Sequence, residues 1–283
     1  MIRAPHRDSL HKIIVLNTKG GCGKTTLATN LASFYALRGP PPTILDFDPH
    51  GFAMRWLDKR PASRPVIHGI AAHEQPVQGP DRAALHLHPD TRVVISDLPA
   101  SIGLNALYLH THDADSILIP VLPSAIDIFS ASRFIAELML DVALDRRDRK
   151  LAIVANRVRQ NTRSWQRLTR FLTSLQIPMI AALRDSQNFV HASEQGIGLS
   201  EMPAHKIKQD IEQINAIVRW LDKRREQVQR ARAAEQRQAR VAQAAYERAA
   251  LRGFKGGDPV TDWLEAEREV DLGTRSRAVQ EEQ

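Results

Sequence analysis

The chain has 283 residues, of which 43% are hydrophobic and 25% charged, with a formal net charge of +7. These values describe a soluble globular protein with room for one large or two small domains, and no apolar run approaches the roughly 18 residues of a membrane span. The basic excess points to a polyanion such as nucleic acid or an anionic membrane, and the single cysteine, Cys22, excludes an internal disulfide and fits a reducing, cytoplasmic setting.

Residues 1–11 lack the apolar stretch of a secretory signal. Lys12 to Asn17 (KIIVLN) reads as a buried strand entering a glycine-rich loop. Lys24 to Leu37 carries apolar residues at helical spacing (Leu27, Leu31, Phe34, Leu37) and stops at Gly39-Pro40. Thr43 to Phe47 is a second strand. Residues 60–90 are rich in Pro, His and Gly, with short strands expected near Val66 and Leu85. Arg92 to Ser96 and Ser116 to Leu122 are further strands, followed by a helix over 126–140. Lys150 to Ala155 is a strand, 162–175 a helix, Pro178 to Leu183 a strand and Asn188 to Gln195 a helix. A long helix runs from Lys206 to about Tyr246. Alternation of this kind predicts an α/β fold with a mostly parallel, twisted sheet flanked by helices. Ligands of such sheets bind beyond the carboxyl ends of the strands.

Residues 19–26, KGGCGKTT, stand between a strand and a helix. Gly20, Gly21 and Gly23, with Cys22 between them, allow backbone N–H groups to curl around phosphate oxygens, and the helix N-terminus adds its dipole. In such a loop Lys24 reaches the β- and γ-phosphates, Thr25 coordinates Mg²⁺, and Thr26 faces the α-phosphate. The strict G-x-x-x-x-G-K-[ST] pattern fails, because Thr18 stands where its first glycine belongs. Strand two ends in LDFDPHG. Asp48, just past its end, either orients an attacking water or holds Mg²⁺ through water, and otherwise caps the next helix. Strand three ends in VVISDLPAS, where Asp97 occupies the Walker B place and holds the Mg²⁺ shell.

KGGxGK[ST] resembles the deviant Walker A motif of the ParA, MinD and nitrogenase iron-protein class. The D-x-D-P of residues 46–49 and the D-x-P of residues 97–99 resemble that class as well. The likeness spans about residues 11–221 and implies a P-loop ATPase binding ATP and Mg²⁺. It implies that Lys19 crosses a dimer interface to the partner's nucleotide. It also implies that Asn156, followed by Arg157, contacts the adenine edge, a turn-forming Asn being the other reading. One cysteine cannot hold the cluster of the nitrogenase branch, and the polar end RSRAVQEEQ is unlike the membrane helix of MinD-like proteins. With no helix-turn-helix ahead of residue 11, the resemblance is closest to short ParA-type partition and positioning ATPases. These bind DNA nonspecifically as ATP dimers, associate with the nucleoid, and are released when a ParB-like or cargo adaptor protein stimulates hydrolysis. Two other readings stand beside this one: a nucleotide-gated recruitment protein for a conjugation or secretion complex, and a MinD-like membrane-cycling ATPase.

The ATPase domain is expected over 1–221 and a charged helical extension over 222–283. Residues 223–255 are net +7 and residues 256–283 net −5. Lys206, Lys208, Arg219, Lys223, Arg224, Arg225 and Arg184 are the candidate DNA contacts. The W-x-x-A-E-x-E pattern within a module at 245–270 resembles a small bacterial domain of unknown function. It suggests a helical hairpin packing Tyr246 on Trp263, either as a partner-binding module or as a passive tail.

Overall fold

The computed structural model describes residues 10–74, 87–144 and 150–281. Its strands are β1 His11–Val15, β2 Thr43–Asp46, β3 His68–Ala71, β4 Val93–Asp97, β5 Ser116–Val121, β6 Leu151–Val158 and β7 Met179–Arg184. Its α-helices are α1 Lys24–Ala36, α2 Phe52–Asp58, α3 Leu104–Asp113, α4 Ala125–Leu140, α5 Arg163–Ser174, α6 Gln187–Glu194, α7 Ala204–Leu251 and α8 Pro259–Glu281. The strands form one sheet in the order β3-β2-β4-β1-β5-β6-β7, and each neighbouring pair is parallel. This is the expected α/β fold.

Parallel strands covered on both faces read as continuous apolar runs. Successive side chains of β1 divide between the two faces. Ile13 and Val15 pack with Leu27 and Leu31 of α1 and with Ile214 and Leu221 of α7. Ile14 packs with Phe134 and Leu138 of α4 and with Leu168 and Leu172 of α5. The register aligns Val15 of β1 and Asp46 of β2 with Asp97 of β4, so the acidic strand ends share one row at the loop-bearing edge of the sheet.

The structure differs from the sequence expectation in several places. The strand expected near Val66 is β3, starting at His68; Leu85 lies outside the described residues. Helix α3 is not predicted. Its buried positions are Leu107, His110 and Thr111, which form no aliphatic stripe. Strand β6 continues to Val158, past the expected end at Ala155, so Asn156 and Arg157 belong to a strand. No helix among the described residues is long and apolar enough to cross a membrane.

The chain divides into two compact units, Met1–Arg225 and Glu226–Gln283, with the division falling inside α7. The second unit is a helical hairpin held by ion pairs. Arg237 reaches Glu267 and Asp271, both at 2.8 Å; Arg248 reaches Glu265 and Glu269; Arg252 grips Asp262. The ring against Tyr246 is that of Phe254, with centroids 5.6 Å apart, and not Trp263 as expected.

In the first unit one buried ion pair ties distant loops together. The Arg60 guanidinium donates to Glu201 through both terminal nitrogens, at 2.9 and 2.6 Å. It also donates to the carbonyls of Pro65 and Gly196. The two charged side chains are 6% and 0% exposed. Glu201→Ala leaves the guanidinium buried without its counter-charge, and is expected to lower the unfolding free energy by about 3–5 kcal/mol. A drop in the urea midpoint at unchanged m-value is the readout.

Candidate active site

Strand β1 runs into the loop that opens α1. Gly21 and Gly23 have φ of 73° and 99°, a left-handed backbone that only glycine adopts without cost. Gly23 is the N-cap of α1. It supplies no side-chain cap, and the first turn carries no acidic residue. The first N–H groups of α1 are therefore left uncapped by the N-cap residue and suit an anion.

Lys24 is buried, and its ammonium donates to the Lys19 carbonyl at 3.4 Å. The Thr25 hydroxyl donates to Asp97 Oδ2 at 2.6 Å. Asp97 is 1% exposed, and among the described residues its Oδ1 has no hydrogen-bond partner. Burial pushes its carboxyl up to about 7; the Thr25 hydrogen bond opposes this and the nearby Asp46 carboxylate adds to it. A buried acid with an unsatisfied oxygen, next to a hydroxyl, is a hard oxygen pair that fits a divalent cation such as Mg²⁺. Mg²⁺ takes few protein ligands and completes its shell with phosphate oxygens and water.

Asp48 lies across the loop. Its Oδ1 accepts the His50 amide at 3.0 Å and the His50 ring nitrogen at 2.7 Å. Burial raises its carboxyl, but these bonds outweigh that and hold it below the usual carboxylate value. It does not cap α2. Gly51 is the N-cap, and Asp46 Oδ2 accepts the Ala53 and Met54 amides at 3.0 and 3.2 Å. Asp48 is thus left facing a cleft of about 610 Å³ that Gly20, Gly21, Gly23, Lys24, Thr25 and Thr26 also line.

A second cleft of about 450 Å³ is lined by Thr26, Asn156, Arg157 and Arg184. It shares Thr26, Lys59, Arg157 and Ser193 with the first. Asn156 does more here than the sequence displays. Its amide donates to the Cys22 carbonyl at 2.8 Å, and its Oδ1 accepts the Arg157 amide at 2.9 Å. A Cβ on Gly23 would stand 2.2 Å from Asn156 Nδ2. The side chain braces the phosphate loop from behind. Arg157 holds a left-handed φ of 50°, unusual for a non-glycine residue and typical of functional sites. The Cys22 side chain is buried, and burial pushes its thiol up, so this residue serves the loop through its backbone.

Lys19 is half-buried at the loop entry. Its amide donates to Asn17 Oδ1 at 3.1 Å, and Asn17 in turn donates to the Pro120 carbonyl. Among the described residues its ammonium has no acidic partner. Sequence reasoning missed Asn17, His50, Phe52, Arg55 and Lys59. The last four line the larger cleft, and His50 stacks on Phe52 with rings 5.4 Å apart. Of the candidate DNA contacts, Arg184 is held by Asp210, and Arg224 donates to the Asp115 carbonyl at 3.4 Å. Lys206, Lys208, Arg219 and Lys223 are exposed and Arg225 is half-buried.

The family profile described as the CobQ/CobB/MinD/ParA nucleotide binding domain matches residues 13–199. A second profile, a protein of unknown function termed DUF2934, matches residues 236–271. The "maintenance of carboxysome distribution protein A" of Halothiobacillus neapolitanus is 28% identical over 197 residues, covering 68% of this chain and 88% of that protein. The chromosome-partitioning ATPase Soj of Thermus thermophilus is 40% identical over 73 residues, 26% of this chain and 28% of that one. In fold, the chain resembles MinD of Aquifex aeolicus (TM-score 0.55, 18% identity, 75% and 97% of the two chains). It also resembles a Cyanothece McdA variant in complex with ATP (TM-score 0.55, 16% identity, 74% and 96%).

The brace makes a distinct prediction. Asn156→Ala removes one buried hydrogen bond behind the loop and is expected to weaken ATP binding about tenfold. Isothermal titration should show the ATP-to-GTP affinity ratio unchanged. A collapse of that ratio would assign the side chain to the base instead.

Proposed function

The chain belongs to the CobQ/CobB/MinD/ParA family of nucleotide-binding domains, and we propose that it is an ATP-dependent, dimerising switch that binds DNA nonspecifically and partitions or positions DNA or a protein cargo. The relatives it matches include an ATPase named for chromosome partitioning and a protein named for maintenance of carboxysome distribution. The observation that carries the reading is the Thr25–Asp97 contact with one Asp97 oxygen left unsatisfied beside Lys24.

The roles follow from charge and placement. The N–H groups of Gly20 to Thr26 cradle the phosphates, and Lys24 meets the β- and γ-oxygens. Thr25 and Asp97 would hold Mg²⁺, which supplies neutralisation of phosphate charge when bound. Asp48, kept ionised by His50, orients the water whose oxygen attacks the γ-phosphorus as the bond to the β–γ bridging oxygen breaks and ADP leaves. Arg157 closes the base side. Lys19, with no acid of its own, is free to meet the nucleotide of a second copy. Slow turnover suits a switch that persists until a ParB-like or adaptor protein acts, and the ATP-bound form would sit on the nucleoid. The separate match of the C-terminal unit favours a second reading, recruitment of a partner complex gated by nucleotide.

Random-sequence DNA binding measured with ATP, with ADP and without nucleotide tests the proposal. Wild type should bind only with ATP, and Lys19→Ala should lose that binding while still taking up ATP as a monomer. Binding that ignores nucleotide or Lys19 would refute the switch. Asp48→Ala should lower hydrolysis by about 100-fold or more and prolong DNA residence. Wild-type turnover in that variant would remove Asp48 from the mechanism.

A further inference from the structure

One of the chain's two strongly basic stretches contains no acidic residue. From Lys150 to Arg184 there are seven Lys and Arg and no Asp or Glu, against a whole-chain formal charge of +7. The rest of the chain is therefore neutral in sum. Within the stretch, Arg184 is held by Asp210 and Arg159 by Asp185. Arg157 lines the nucleotide clefts and Lys150 precedes β6.

The other three, Arg163, Arg167 and Arg170, lie on α5 at i, i+4 and i+7. At about 100° per residue they fall within an arc of about 60° and along about 10 Å of helix. All three are exposed, while Leu168 and Leu172 on the opposite side of the helix are buried in the core. Helix α5 contains no acidic residue. None of the three arginines has an acidic partner among the described residues; Arg170 Nε donates only to the Gln166 carbonyl at 3.4 Å. The exposed neighbours Gln166 and Thr173 are uncharged.

Like charges at this spacing repel one another, and the face lacks the acids that relieve the same problem in the C-terminal hairpin. There Arg237, Arg248 and Arg252 are all bound by α8 carboxylates. A row of unpaired guanidinium forks suits a ligand with regularly spaced phosphates. We propose that the Arg163–Arg167–Arg170 face of α5 is a phosphate-backbone contact through which this chain holds double-stranded DNA. The proposal rests on the DNA-binding reading above and moves the main contact from α7, where sequence reasoning sought it, to α5.

The test compares wild type with the triple variant R163A/R167A/R170A on random-sequence duplex with ATP over a series of salt concentrations. Loss of three phosphate contacts should flatten the slope of log K against log salt by about 2.7 and weaken binding tenfold or more at about 0.1 M salt. ATP hydrolysis without DNA and the melting temperature should stay at wild-type values. The triple R163K/R167K/R170K variant should retain most of the affinity. Wild-type DNA binding that survives the alanine variant, or that falls only with K206A/K208A, overturns the α5 assignment alone. A face that holds poly-glutamate better than duplex DNA overturns it in favour of an acidic protein. Wild type that binds no DNA in any nucleotide state overturns both this assignment and the reading beneath it.

Discussion

The site is organised around a carboxyl group held at the carboxyl end of a central strand, one of whose two oxygens has no partner among the described residues. Asp97 is buried because β4 is flanked on both sides, by β2 and β1. Among the described residues its carboxyl is met by the Thr25 hydroxyl at the start of α1. Burying an acid in this way is unfavourable unless a counter-charge arrives. The cost is met when a cation and a polyphosphate occupy the same place. The parallel register makes this possible, since it brings Val15, Asp46 and Asp97 to a common level and sets the loop after β1 directly above the acid.

The neighbouring acids show how environment separates residues of one type. Asp46 and Asp48 are two positions apart. Asp46 is fully buried, and its oxygens are used by the backbone of the loop and of α2. Asp48 sits at the cleft with His50 as its partner. The first shapes the chain, and the second remains available for chemistry. The loop itself is held from two sides: Asn17, tied to β5, at its entry, and Asn156, from β6, behind Cys22. Rigid support of this kind lets backbone N–H groups act as a preorganised anion site.

Charge is sorted by folding in a way that composition hides. By sequence residues 223–255 hold the most basic side chains, ten against three acids. In the structure, Arg237, Arg248 and Arg252 are matched against the acidic segment that follows. The stretch from Lys150 to Arg184 has the same net charge, with seven basic residues spread among apolar ones and no acid. Helical periodicity gathers three of them on one exposed face of α5.

Local patterns were sufficient for much of this protein. The strand–loop–helix around KGGCGKTT, the strand-end acids Asp48 and Asp97, and the alternation that requires a parallel α/β sheet all depend on neighbours a few residues apart, and sequence records such relations directly. Helix α3 was not legible, because His110 and Thr111 occupy core positions that an apolar stripe would otherwise mark. Nor were the roles that depend on contacts across the chain. The amide of Asn156 reaches Cys22, Arg60 pairs with Glu201, and Arg184 is taken by Asp210. The sequence by itself determined the fold class and the strand–loop–helix setting of residues 19–26, since short-range backbone geometry dictates both. Only the tertiary structure decided which polar and charged groups are satisfied within the chain and which are left for a ligand, because a partner brought close by packing leaves no periodic trace in the order of residues.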